Sequence, residues 1–401
     1  MLTVLCISFY FKGEEFLTSC KQDGNTVYLL TNKKLENKPW PRDAIDEFFY
    51  MENDSNDPTN IDNIIKGVAW LMRERKIDAI IALDDFDVEK AAAIREEFRI
   101  PGMGQTTARY YRDKLSMRKR AEDDGISVPA YTPLFNNEEI NYFADNIPAP
   151  WVLKPRSEAS AAGIKKIYDK QSLWQHIDNY GDKRHHFLVE QFKPGDVYHV
   201  DAISFGGKMQ FYCASRYLST PFDVAHGAGI FRSVTCDPFS KDFAQLGSLT
   251  NDVMKAFHMR HSASHTEFIK SHEDGRFYFL ETSSRVGGAH LAKMVEAATG
   301  INLWAEWAKI ESAAAKGENY LPPRAKEGYA GILISLARQE HPDYSPFNAP
   351  EIVWKMSERH HVGMVVKSDN AERVIQLLDE YAEVVQRDYH ASAPMGDKPT
   401  N

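Results

Sequence analysis

The chain has 401 residues, 43% of them hydrophobic and 26% charged, a globular composition that excludes the disordered and fibrous classes. Its net charge of -9, from 48 basic against 57 acidic side chains, argues against a bulk electrostatic grip on nucleic acid and leaves room only for a local basic cleft. No stretch approaches the ~20 apolar residues of a membrane span, and the length predicts two to four structural units, not one core.

The opening MLTVLCISFYF is apolar but short, with no basic run before it and no cleavage site after it. It reads as a first core strand, Leu2–Phe11, and not as a signal peptide. Cys6, Cys20, Cys213 and Cys236 are sparse and lack metal-ligand spacing, as expected of reduced thiols in a cytoplasmic protein. A strand at Thr26–Leu30 follows. Ile61, Ile64, Ile65, Val68 and Leu71 then recur at helical spacing within Ile61–Lys76. Ile77–Leu83 reads as a buried strand running into Asp84-Asp85-Phe86-Asp87, and Val88–Phe98 as a helix stopped by Ile100-Pro101-Gly102. This alternation predicts a doubly wound parallel sheet over residues 1–103. Gly102-Met103-Gly104 lacks the third glycine of a dinucleotide fingerprint.

A basic helix is predicted from about Ala108 to Asp123, closed by Gly125 and Pro129. Asn146-Ile147-Pro148-Ala149-Pro150 is rich in breakers and precedes a strand at Trp151–Lys154, a loop, and a second strand at Ile164–Tyr168. The loop, with Ser157 and Ser160, is small and polar, as suits a lid over phosphates, although it lacks the Gly-Lys-Ser/Thr of a P-loop. Lys154 ends a buried apolar strand, where a lone ammonium needs an anionic partner. Phe187–Val200 holds a strand ending in Glu190-Gln191-Phe192, a turn at Lys193-Pro194-Gly195, and a new strand from Asp196. His226 sits among small residues. A histidine facing substrate or phosphate and a loop histidine without a role fit it equally.

The most informative stretch is His265–Leu291. Thr266–Ile269 and Arg276–Leu280 alternate as strands around a turn ending in Asp274-Gly275, which predicts a hairpin. Glu267 opens the first strand and Glu281 closes the second, so antiparallel pairing brings both carboxylates to one end. They repel unless a cation or proton lies between them, and hard oxygen ligands near phosphate suit Mg²⁺. Ser283, Ser284, Arg285 and Gly287-Gly288 come next: a guanidinium fork for phosphate or carboxylate, and glycines whose N–H groups can approach an anion. Singly, each of these residues is an ordinary surface residue; the ordered set points to a metal and phosphate site. Beyond lie helices at Ala289–Thr299 and Leu303–Ala315, a linker, strands at Tyr329–Leu336 and Gly363–Val366, and a helix at Ala371–Val385. The tail from Ala391 is polar and expected to be disordered.

These pieces, in this order, resemble the ATP-grasp superfamily. Its metal-binding hairpin runs Glu, a short strand pair, Glu-x-Asn, then Arg and small residues; here Ser283, a weaker oxygen ligand, stands where asparagine is usual. The run IPG…RDK…MR…GISVP is similar to the lead-in to that fold, and the match implies that Lys114 reaches a nucleotide phosphate. Lys154 matches a nucleotide-binding lysine, Glu190, Gln191 and Phe192 an adenine-lining segment, and Asp196 a position near the ribose, with Ser157 and Ser160 in the lid. The resemblance implies an ATP-grasp fold over 104–186 and 187–318, preceded by the parallel-sheet domain 1–103 and followed by a small α+β cap at 319–390 and a tail at 391–401. It implies ATP with Mg²⁺ or Mn²⁺, held by Glu267, Glu281 and Ser283. Arg285 and His226 become catalytic candidates, and Ser284, Gly287 and Gly288 substrate-binding ones. The activity implied is that of a carboxylate–amine ligase, similar to the amino-acid ligases of the biotin-carboxylase-like group, whose members often pair as homodimers. A bicarbonate-using carboxylase and a catalytically weak ATP-binding module stay open as alternatives.

Overall fold

The computed structural model describes residues 1–52, 60–158, 163–222, 224 and 229–392. Strands β1 (Thr3–Ser8), β2 (Thr26–Asn32), β3 (Glu47–Met51) and β4 (Ala79–Ala82) form a parallel sheet in the order β3-β2-β1-β4. Their residues are apolar to both sides, so both faces must be covered. Leu5 and Ile7 pack with Ile64, Val68, Ala91 and Ile94 of helices Asn60–Leu71 and Val88–Phe98. On the opposite face Val4 and Cys6 share a core with Phe16, Leu17 and Trp307, the last from a helix late in the chain, Leu303–Lys316. β4 ends at Ala82, and Asp84 and Asp85 follow just beyond it, at the carboxyl edge where open α/β sheets bind ligands.

Strands β5 (Tyr131–Pro133), β6 (Trp151–Pro155), β7 (Lys165–Ile167) and β8 (Phe187–Gln191) form an antiparallel sheet in the order β5-β8-β6-β7. Ile140 and Phe143 of helix Asn137–Asn146, with Leu173 and Ile177 of helix Lys170–Tyr180, cover it. The third sheet has eight strands: β9 (Gly195–Phe205), β10 (Lys208–Tyr217), β11 (Phe231–Thr235), β12 (Ser262–Ser271), β13 (Phe277–Ser283), β14 (Tyr329–Leu336), β15 (Ile352–Lys355) and β16 (His361–Ser368). Their order is β13-β12-β9-β10-β11-β14-β16-β15. The strands of the 319–390 segment thus extend the sheet that carries the acidic hairpin. Helix Ala371–Asp388 packs Val374, Leu377, Leu378 and Val385 against it.

Two local expectations change. The basic helix is not continuous: Gln105–Arg109 ends, and a new helix, Lys114–Asp123, begins after Asp113. The Asp113 carboxylate accepts from the Leu115 N–H at 3.0 Å while its own backbone is extended, the geometry of an N-cap. Glu267 does not open its strand either. It is the sixth residue of β12, because β12 also pairs with β9 along its whole length. Among the described residues no helix is long and apolar enough to cross a membrane, and the four cysteines are free thiols.

Candidate active site

Antiparallel pairing of β12 with β13 sets Glu267 directly opposite Glu281, and a bulge between Glu267 and Phe268 interrupts the register there. Bulges re-aim side chains, and both carboxylates border a cavity of about 690 Å³ formed where the three sheets approach one another. Ser283, further along β13, lines it as well. The donors so gathered are hard oxygens, which fits a divalent ion such as Mg²⁺.

Cations face these acids. Because its helix starts at residue 114, Lys114 projects from the first turn, with Nζ 2.7 Å from Glu281 Oε2 and 2.8 Å from the Glu158 carbonyl oxygen. Burial raises the Glu281 carboxyl, but Lys114 outweighs it and holds the group below the usual glutamate range. Lys154 is the next-to-last residue of β6, with Nζ 2.6 Å from Glu190 Oε2. Its desolvation pulls the ammonium down to about 8 even though Glu190 opposes the shift. Glu190 also meets Arg118, whose Nε lies 2.8 Å from Oε1 and whose Nη2 donates to Oε2 at 3.1 Å. Burial pushes the Glu190 carboxyl up, yet the two cations keep it low. Arg118 is fully buried. Sequence reasoning missed it, although it follows Lys114 by four residues on one helix face.

Arg285 is not a free fork. Its Nε donates to Asp85 Oδ2 at 2.9 Å, its Nη2 shares the same oxygen, and its Nη1 donates to the Val286 carbonyl. Burial would raise the Asp85 carboxyl, but Arg285 holds it well below the usual range. Asp85 had no role in the sequence reading. Another unforeseen group spans β9 and β12, the buried His199, Asp201 and His265, with Tyr217 donating its hydroxyl to Glu267 Oε1 at 2.8 Å.

Of the other candidates, Gln191, Phe192 and Gly288 line the cavity. The N–H groups of Gln191 and Phe192 donate to the carbonyls of Ala130 and Pro150, so those amides are engaged within the fold. Four candidates are not among the lining residues. Ser157 is exposed, with its carbonyl accepting from Arg112. Asp196 Oδ2 lies 3.4 Å from Nε2 of His272, which itself lines the cavity. Ser284 is buried, its carbonyl accepting from Ser262 Oγ. Gly287 packs on the histidine group, where a Cβ would lie 2.7 Å from Asp201 Oδ1 and 2.9 Å from His265 Nδ1. Ser160 and His226 fall outside the described residues.

No family model matches the chain. Over 263 residues it is 23% identical to the L-arginine-specific L-amino acid ligase of Bacillus subtilis, covering 64% of this chain and 62% of that one. The match therefore spans less than two thirds of that relative's length. Among solved structures, the L-amino acid ligase from Bacillus licheniformis superposes with a TM-score of 0.73 at 16% identity, covering 97% of this chain and 98% of that one. The chain has the ATP-grasp fold. A second ATP-grasp structure is the biotin carboxylase domain dimer of Hydrogenobacter thermophilus 2-oxoglutarate carboxylase, solved with MgADP, ADP and bicarbonate. It aligns with a TM-score of 0.71 at 17% identity over 97% of this chain and 90% of that one. Within the ATP-grasp fold of this chain, the paired glutamates, the two lysines and Arg285 border a single cavity.

Proposed function

We propose that the protein is an ATP-dependent carboxylate–amine ligase that works through an acyl phosphate and releases ADP and phosphate. The observation that carries this reading is the placement of Glu267 opposite Glu281, facing Lys114, with Lys154 in the same cavity. A carboxylate is a poor acyl donor until its oxygen is phosphorylated, and phosphoryl transfer asks of a protein mainly positioning and charge neutralisation. Lys114 and Lys154 would offset nucleotide phosphate charge, with Glu190 and Arg118 fixing Lys154 from behind. Glu267, Glu281 and Ser283 would hold Mg²⁺ or Mn²⁺, which when bound neutralises phosphate oxygens. Arg285, steadied by Asp85, would orient the substrate carboxylate, and Gly288, open on its Cβ side, would admit it. The stem of the lid, tied by the Ser157 and Glu158 carbonyls to Arg112 and Lys114, would help to keep water from the acyl phosphate. The likeness to amino-acid ligases supports an amino acid as one partner.

The test is ADP and phosphate release with Mg²⁺ and ATP over pairs of amino acids and small carboxylates, with mass spectrometry of the product. Turnover that needs an amino acid and yields an amide is expected, and Glu281→Gln should lower it by on the order of 10²-fold or more in a folded protein. Turnover needing bicarbonate would instead make the protein a carboxylase, and nucleotide binding without turnover a regulatory module.

A further inference from the structure

A line of buried polar groups crosses four adjacent strands and ends at Glu267. On β11, Ser233 Oγ lies 2.8 Å from His199 Nε2 of β9. His199 Nδ1 lies 2.8 Å from Asp201 Oδ2, and Asp201 Oδ1 2.9 Å from His265 Nδ1 of β12. His265 Nε2 then faces Glu267 Oε1 at 3.5 Å, and Tyr217 of β10 donates its hydroxyl to that same oxygen at 2.8 Å. The three inner members have the chemistry of metal ligands and lie close together. Each Nδ1 already faces an Asp201 oxygen, and the outer nitrogens face Ser233 on one side and Tyr217 with Glu267 on the other, so every member has a polar partner within the fold. Buried polar groups of this kind are costly unless each is bonded, and Tyr217, His265 and Glu267 of the line border the cavity. Even the neighbouring chain conforms to it, since any side chain at position 287 would collide with Asp201 and His265.

Resting on the assignment of Glu267 as a metal ligand, we infer that Tyr217 and His265 are positioning residues that pin Oε1 of Glu267 and leave Oε2 as the one oxygen offered to the ion. A small ion that demands near-octahedral geometry and keeps its waters is served by a single, well-aimed oxygen, and partners behind a ligating group fix its orientation. Asp201 and His199 hold the His265 ring in turn, and Ser233 closes the line.

The experiment is a Mn²⁺ titration in the presence of ADP, followed by electron paramagnetic resonance, on the whole protein and on Tyr217→Phe, His265→Asn and Glu267→Gln. Tyr217→Phe should bind Mn²⁺ about 10- to 100-fold more weakly, with its affinity for metal-free ADP unchanged, which a general loss of structure would not leave intact. His265→Asn, which keeps a donor for Asp201 but cannot reach Glu267, should do the same. Wild-type Mn²⁺ affinity in both, with affinity lost in Glu267→Gln, would overturn the positioning role and leave the ligand assignment standing. Unchanged affinity in Glu267→Gln would overturn both. If Tyr217→Phe fails to fold, His265→Asn decides; failure of both to fold would make the line a piece of core and overturn the inference.

Discussion

A buried ammonium keeps its proton only against the cost of desolvation, and at Lys154 burial brings the group from 10.5 down to about 8. Below about pH 8 Lys154 is charged in both the folded and the unfolded chain, so its desolvation weighs fully on stability. Between about 8 and 10.5 the folded chain sheds a proton that the unfolded chain keeps, and the contribution of Lys154 to stability rises. Nucleotide binding runs the other way, because phosphates favour the ammonium. Calorimetric titration with ADP should show an affinity that is level below about pH 8 and falls by up to about tenfold per pH unit above it. Lys154→Arg, whose guanidinium does not titrate in this range, should flatten that profile; a profile that keeps its slope would assign the titration elsewhere. Lys154, Glu267 and Glu281 were legible in the sequence because each ends or opposes an apolar run where a charge needs a reason. Asp85, Arg118, Tyr217, His199 and Asp201 were not. Apart from His199 and Asp201, two residues apart on one strand, their partners lie 34 to 200 residues away and are brought together by strand order that no local spacing encodes.

At the scale of elements, the helix Lys114–Asp123 shows how a cap places chemistry. Lys114 and Arg118 leave the same face of this helix and reach Glu281 and Glu190 respectively. Both positions depend on where the helix begins, which Asp113 sets by accepting from the Leu115 N–H while Arg156 clasps its carboxylate. A basic run with no apolar periodicity hides such a break, which is why the charges alone read as one helix from residue 108. The hairpin was easier to read, because alternation on both sides of Asp274-Gly275 fixes an antiparallel register, and only the bulge after Glu267 and the long pairing with β9 escaped. Asp113→Ala should therefore cost about 0.5–2 kcal/mol in chemical denaturation, the range for a lost cap, and should weaken ADP binding as the first turn frays. Asp113→Asn, which still caps, should recover most of the stability. If Asp113→Ala binds ADP as tightly as the wild type, the cap does not govern Lys114.

Across the whole molecule, the parallel sheet and the eight-stranded sheet are joined by more than proximity. Trp307 of the helix Leu303–Lys316 packs edge-on against Phe16 at 4.9 Å, so a helix that follows the hairpin covers one face of the first sheet. Closer to the cavity, Arg285, just past β13, holds Asp85, just past β4, with the acid 4% exposed. A buried ion pair adds little net stability by itself, but removing one partner strands the other, at a cost of about 3–5 kcal/mol. Asp85→Ala should lose about that much in denaturant unfolding, and it should also release the guanidinium from the orientation that meets the substrate carboxylate. The KM for the carboxylate should then rise at least about tenfold, while ADP affinity, which draws on Lys114 and Lys154, stays close to wild type. Asp85→Asn, still an acceptor for the Nε hydrogen, should fall between the two in both measurements. A variant that loses ADP affinity and carboxylate affinity in equal measure would place Arg285 in the nucleotide half of the cavity, and the contact between the two sheets would then serve ATP and not its partner.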